Sequence, residues 1–204
     1  MDTVDVVVAT YGNQELWDDL AERAVASAEN QTVRPETILR SHGSSDLSHA
    51  RNVGAGEAMA DWLIFLDADD ELDPRYIEFM LKGEGDLRQP STLGVVDGRE
   101  DDYPVLIPPH QGGFMVGNHL VIGTMIRRDL FYEVGGFRNL PVLEDWDLWI
   151  RLRLHGAQLS TCPEAVYRVH VRSESRNQDI GLHSQVYSQI QSEYQMEWHA
   201  KGLL

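Results

Sequence analysis

WLIFLDADDEL, residues 62–72, decides the fold. Trp62, Leu63, Ile64, Phe65 and Leu66 form an unbroken apolar run, the pattern of a strand buried on both faces in a parallel sheet. The run ends in Asp67, Asp69 and Asp70, so it delivers carboxylates to its carboxyl end, where open α/β sheets gather their ligands. Carboxylates two apart on an extended backbone point the same way. Asp67 and Asp69 can therefore share a hard divalent cation and the oxygens of a bound diphosphate or ribose. A solvated acidic turn is the plain alternative, and a D-x-D alone does not separate the two.

Upstream, residues 4–9 and 36–40 are further apolar runs bounded by turn residues and read as strands. Between them Leu16, Trp17, Leu20, Ala21, Ala24, Val25 and Ala28 recur at helical offsets and make one apolar stripe. A helix over 48–60 follows the second strand, with Ser48 as its N-cap. This β-α-β-α-β order predicts a right-handed parallel sheet. The first strand leaves through VVVATYGN, residues 6–13, which puts Thr10 and Tyr11 at the top of the sheet. Neither G-x-G-x-x-G nor a P-loop motif is present, so the dinucleotide and P-loop readings lose their phosphate cradle. Tyr11 offers a flat face for stacking a base, or is an ordinary half-buried tyrosine.

Downstream, Pro74 opens a helix over 75–82, and residues 83–113 read as loops with short strands near 93–96 and 105–107. A strand at 119–122, a helix over 128–134 stopped by Gly135-Gly136, and a helix over 144–155 stopped by Gly156 follow. Strands near 158–161 and 165–171 precede a polar loop and a final helix over 181–200. The helix VLEDWDLWIRLRLHG, residues 142–156, carries Glu144 and Asp145 in its first turn. There the dipole favours negative charge, and a carboxylate facing a crevice could equally act as a general base. In VYRVHVRSESRN, residues 166–177, Arg168, His170 and Arg172 share one face of an extended segment, and Arg176 continues the basic cluster. Such a cluster suits a diphosphate and a metal, although a lone histidine is more often structural.

A chain of 204 residues with 42% hydrophobic residues suits one domain with a single core. Its one cysteine, Cys162, excludes an internal disulfide and a thiolate metal cluster, and suits a reducing compartment. With 33 Asp and Glu against 17 Lys and Arg, the net charge of -16 repels nucleic acid and anionic lipid. The absence of a signal-peptide pattern and of a long apolar run predicts a soluble, cytoplasmic protein.

Taken in order, VVVATYGN, Ala50-Arg51-Asn52 with Gly54 and Gly56, FLDADDEL, Gly135-Gly136-Phe137, LEDWDLWIRL and YRVH resemble glycosyltransferase family 2. The resemblance runs over residues 4–172. It implies an α/β fold of the GT-A, Rossmann-like type, with a central mostly parallel sheet flanked by helices. Its implied organisation is a single catalytic domain with a nucleotide-binding half (1–82), an acceptor and catalytic half (83–176) and a tail helix (177–204). The implied activity is metal-assisted, inverting transfer of a sugar from a nucleotide-diphosphate donor, a UDP-sugar above others, to an acceptor hydroxyl.

By position, the resemblance gives Thr10, Tyr11, Arg51 and Asp67 to donor binding. Asp67, Asp69 and His170 would hold manganese or magnesium, with Asp69 also on the donor side, and Arg172 and Arg176 would meet the diphosphate. Asp145 matches the catalytic base, with Glu144 and Trp146 beside the acceptor. The chain departs from the family where an acidic pair usually follows the second strand: Arg40-Ser41-His42-Gly43-Ser44-Ser45-Asp46 stands there, and the stretch up to Arg51 is short. Two rivals are a sugar-phosphate nucleotidyltransferase, which would need a glycine-rich basic loop where YGNQELWDD stands, and a noncatalytic nucleotide-sugar-binding module. The apolar face of the last helix, with Val186, Tyr187, Ile190, Tyr194 and Trp198, serves core packing or, as the lesser reading, a homodimer contact.

Overall fold

The computed structural model describes residues 2–43, 46–108, 113–171 and 179–203. Strand β1 (Val4–Tyr11), helix α1 (Gln14–Glu29), β2 (Thr37–Gly43), α2 (Leu47–Gly56) and β3 (Trp62–Asp67) follow one another as the sequence predicts. β1 pairs in parallel with β2 on one side and β3 on the other. Side-chain alternation along β1 assigns the flanking helices. Val8 and Thr10 line a cavity with Ala21 of α1, whereas Ala9 and Tyr11 pack with Leu47 and Ala50 of α2. The two helices therefore cover opposite faces. Gly54 lets α2 sit close: a Cβ there would lie 2.5 Å from Val7 Cγ1 and 2.8 Å from Ser41 Oγ.

Helix α2 begins earlier than expected. Asp46, not Ser48, is its N-cap, accepting from the His49 N–H at 2.6 Å, and Ser48 is buried within the first turn. The helix also stops at Gly56 rather than running to 60.

The second half adds β4 (Glu71–Leu72), α3 (Tyr76–Lys82), β5 (Leu87–Val96), β6 (Arg99–Glu100), a 3-10 turn (Gly113–Met115), β7 (Met125–Arg127), α4 (Arg128–Glu133), α5 (Glu144–His155), β8 (Leu159–Val171) and α6 (Ile180–Ala200). Among the described residues these strands make one eight-stranded sheet, ordered β2-β1-β3-β7-β5-β8-β4, with β6 on β5. The long pairings are parallel, while β7 joins β3 to β5 through short antiparallel pairings.

Three sequence expectations change here. β5 is a ten-residue strand rather than a short one at 93–96. The strands expected at 158–161 and 165–171 are the two halves of β8, parted by a register shift opposite Pro90 and Ser91, where Cys162 pairs with Pro90 and Val166 with Ser91. Residues 119–122 form no strand; the strand lies at β7, after the turn through Gly123. Gly123 is held there because a Cβ would meet the ring of the buried Tyr167 at 2.2 Å.

Candidate active site

The site is built from the middle of α2, the end of β3, the loop after α4 and the start of α5. Arg51, 3% exposed, projects from α2 between two carboxylates: Nη2 lies 2.5 Å from Asp67 Oδ1 at the end of β3, and Nη1 lies 2.8 Å from Glu144 Oε1 at the start of α5. Burial alone would lower its pKa, but Asp67 and Glu144 more than offset this and hold the guanidinium charged, above the ordinary arginine value. The Phe137 ring lies under it, 5.2 Å from the guanidinium carbon. Asn52 explains why Phe137 is there. Its side chain donates to the Phe137 carbonyl at 2.8 Å and accepts from the Phe137 N–H at 2.9 Å. Gly136 precedes this clamp with φ +68°, and a Cβ on it would lie 2.6 Å from the Asn52 side-chain oxygen. The Arg51-Asn52 and Gly135-Gly136-Phe137 motifs, far apart in sequence, are thus one interlocked unit.

Asp145 sits beside this unit, half-buried, in the first turn of α5. Its Oδ1 accepts from the Trp146 N–H at 2.7 Å, and its Oδ2 accepts from the Asn118 side-chain amide at 2.8 Å. Burial and the adjacent Glu144 push its carboxyl up to about 6, against the lowering effects of Arg51, the Trp146 N–H and Asn118. That value suits a group that must take a proton near neutral pH. Asp147, one turn-face away, differs: it is fully buried and paired with Arg138 at 3.1 Å and Arg151 at 2.7 Å, and it accepts from the Tyr194 hydroxyl at 2.8 Å. Asp147 holds α5 to α6 and to the loop after α4.

The acidic turn after β3 divides in two. Asp70 turns inward, accepts from the His170 backbone N–H at 2.8 Å, and is hydrogen-bonded to the buried Tyr167 hydroxyl. Burial, with Asp67 and Asp69 nearby, lifts its pKa well above the ordinary value. Its role is to tie β8 to β3. Asp67 and Asp69 stay half-buried at the strand end, and the Asp69 carbonyl accepts from Arg23 at 2.9 Å.

His170 does not join Asp67 and Asp69. Its Nε2 lies 2.7 Å from Glu71 Oε1, a carboxylate that also meets Arg23 at 3.2 Å. Among the described residues, no group of three or more His, Cys, Asp or Glu is arranged to hold a metal. The expected Asp67, Asp69 and His170 cage is therefore not assembled: Asp67 is paired with Arg51, and the His170 ring lies against Glu71. A cation carried by nucleotide phosphates needs only one or two protein carboxylates, and that smaller requirement fits Asp69 with Asp67.

The remaining site residues fall as follows. Thr10 turns to the α1 face, where its hydroxyl lies 3.0 Å from His42 Nδ1, beside a cavity of about 170 Å³ lined by Val8, Asp18, Ala21, Arg40 and Ser41. Tyr11 lies on the α2 face, the face of Arg51, with Trp17 at 6.3 Å. Trp146, expected beside the acceptor, is fully buried and stacks on Tyr187 of α6 at 4.9 Å. Arg168, part of the expected basic cluster, is tied to Asp73 and Glu100. Arg172 and Arg176 lie outside the described residues. Asn118 and Glu71 escaped the sequence reading: Asn118 belongs to no motif, Glu71 stands within FLDADDEL behind the aspartates that drew the reading, and each acts on a residue far away in the chain.

The family model for glycosyl transferase family 2 matches residues 18–137. A Haemophilus influenzae protein described as an uncharacterized glycosyltransferase is 27% identical over 149 residues, covering 66% of this chain and 50% of that protein. Among solved structures, S. aureus TarS 1-349 in complex with UDP-GlcNAc superimposes with a TM-score of 0.68 at 16% identity, covering 87% of this chain and 61% of that one. The same TarS segment in complex with UDP gives 0.63 at 17% identity, covering 83% and 60%. At such identities the likeness to TarS is one of fold, and it bears out the α/β, GT-A arrangement. The chain spans about half the length of the curated relative it matches. Among the described residues no helix is long and apolar enough to cross a membrane. With the family model covering more than half of its residues and the Arg51, Asp67 and Glu144-Asp145 motifs meeting at one place, the chain belongs to glycosyl transferase family 2.

Proposed function

We propose that this chain binds a UDP-sugar and transfers its sugar, with inversion, to an acceptor hydroxyl, with Asp145 as the general base. The observation that carries the reading is the placement of Asp145: held through both oxygens by Asn118 and the Trp146 N–H, half-buried, and set beside the Arg51 and Asp67 pair at the end of β3, where burial and Glu144 push its carboxyl up to about 6. Asp145 takes the acceptor proton as that oxygen attacks the anomeric carbon from the side opposite the diphosphate, which inverts the configuration. Arg51, already shared by Asp67 and Glu144, orients the donor side by fixing Asp67 rather than by roaming as a free cation. Tyr11, on the same face, is the stacking surface for the base. Support for uracil comes from the fold shared with TarS, whose structures hold UDP and UDP-GlcNAc.

Manganese or magnesium, when bound with the nucleotide, would be held by Asp69 with Asp67 and would neutralise phosphate charge. The diphosphate-facing roles of Arg172 and Arg176 belong to the same proposal. Calorimetric titration with UDP, GDP, dTDP and CDP, each with manganese and with chelator, tests it. UDP alone should bind, more tightly with manganese, and Asp145→Asn should keep that affinity while losing transfer. Binding of another nucleotide in preference to UDP overturns the donor, and a fully active Asp145→Asn variant overturns the base.

A further inference from the structure

Asn118 lies outside every motif of the chain, in the irregular segment after the 3-10 turn, 27 residues before the carboxylate it touches. Its amide does two things. Nδ2 donates to Asp145 Oδ2 at 2.8 Å, and Oδ1 accepts from the Leu120 N–H at 3.1 Å. The second bond fixes the amide plane, so the first is directional. Since the Trp146 N–H already holds Asp145 Oδ1 at 2.7 Å, donation from Asn118 sets the rotation of the carboxylate about its last bond. The lone pair left on each oxygen then has a defined direction, which is what proton abstraction from a bound hydroxyl requires.

The segment carrying Asn118 is braced. Three consecutive carbonyls before it each accept from a side chain: Phe114 from Trp146 Nε1 at 2.7 Å, Met115 from Gln191 Nε2 at 2.6 Å, and Val116 from the Tyr187 hydroxyl at 2.8 Å. Gln191 also donates to the Tyr187 hydroxyl at 2.8 Å, and the Tyr187 ring lies on Trp146 with a 17° interplanar angle. Tyr187 and Gln191 belong to α6, so the C-terminal helix reaches the carboxylate through this segment.

We infer that Asn118 is the positioning residue of the Asp145 carboxylate, and that α6 braces it there through Tyr187 and Gln191. The inference rests on the reading of Asp145 as the base. The charged groups facing Asp145 are Glu144 from its own helix and Arg51 from α2, and Asn118 acts in the same sense as Arg51 by favouring the ionised form.

Asn118→Ala withdraws the donor without adding charge and so reads positioning, whereas Asn118→Asp keeps the shape and the acceptor for the Leu120 N–H but sets a second carboxylate against Asp145. Carboxyl-carbon NMR titration, with the Asp145 signal assigned by Asp145→Asn, reads the first effect. The Asp145 titration should move above its wild-type midpoint in Asn118→Asp and, by less, in Asn118→Ala. Release of UDP from UDP-GlcNAc into water reads the second: kcat should fall on the order of 10- to 100-fold in both variants, with UDP affinity unchanged. Tyr187→Phe, which keeps the stack on Trp146 and loses the bond to Val116, should lower kcat by a smaller factor. An Asn118→Ala protein with the wild-type Asp145 titration overturns the inference, as does one with the wild-type rate of UDP release. If Asp145→Asn itself retains full UDP release, the base reading falls instead, and the NMR titration still decides whether Asn118 holds the carboxylate.

Discussion

At pH 8 the Asp145 carboxylate carries its charge where burial and Glu144 disfavour it, and the fold should be less stable for it. Its pKa stands at about 6 against an ordinary aspartate value of 3.8. The folded protein therefore holds the Asp145 proton more tightly than the unfolded chain does. Stability falls as pH rises through the window from 3.8 to about 6 and is level above it. That displacement corresponds to about 3 kcal/mol, at ~1.4 kcal/mol per pH unit. Asparagine at this position keeps the volume, removes the charge and keeps one oxygen for the Trp146 N–H, but turns its own NH2 toward the Asn118 donor, a loss of about 1–3 kcal/mol that does not vary with pH. Relative to wild type, Asp145→Asn should therefore gain up to about 3 kcal/mol between pH 3.8 and pH 8, a change in the melting-temperature difference of roughly 6–12 °C for a domain of this size. Scanning calorimetry across that pH range measures it. A stability difference between variant and wild type that is independent of pH refutes the reasoning. Transfer should drop by about 10²- to 10⁴-fold in the same variant, the usual range for loss of a general base.

Three further outcomes follow from the packing. Arg51→Met should strand Glu144, which is 4% exposed, without its arginine and cost about 3–5 kcal/mol, read as a lower urea midpoint, together with loss of UDP affinity. Gly54→Ala should destabilise by about 1–3 kcal/mol, because the new methyl would press on Val7 and Ser41 and push α2 off the sheet; thermal melting checks it. Asp147→Asn should cost less than Arg51→Met, about 1–3 kcal/mol by thermal melting, because Arg138 keeps Glu193 at 2.7 Å and Arg151 keeps the Val134 and Gly136 carbonyls. It should nevertheless leave the NMR titration of Asp145 in place, which distinguishes the two carboxylates of α5.

The β1 to β3 unit was legible because its strands are continuous apolar runs and its helices carry one-sided stripes, signals that do not depend on distant residues. The second half was less so. β5 contains Arg88, Gln89 and Pro90, none of which reads as strand, yet Arg88 and Gln89 are buried and satisfied by groups brought from elsewhere: Arg88 donates to the Met80 carbonyl and lies over the Trp62 ring at 3.8 Å, and Gln89 donates to the carbonyls of Ile107 and His119. β8 read as two strands because Pro163 interrupts it, and only pairing with β5 shows that the interruption is a register shift in a single strand.

For the site, sequence alone determined which residues carry charge and where along each element they emerge: Arg51 on α2, Asp67 at the end of β3, Glu144 and Asp145 at the start of α5. Those placements follow from local period and from helix and strand ends. Tertiary structure decided their partners. Glu144 and Asp145 are neighbours of like chemistry, yet one is buried against Arg51 and the other is held by Asn118 with its carboxyl raised to about 6. Likewise His170 goes to Glu71 and Asp70 to Tyr167 and the His170 N–H, although the sequence presents both as candidates for one crevice. The physical reason is that desolvation and hydrogen bonding act over a few ångströms of space, and the groups that supply them here lie between 1 and 100 residues away along the chain.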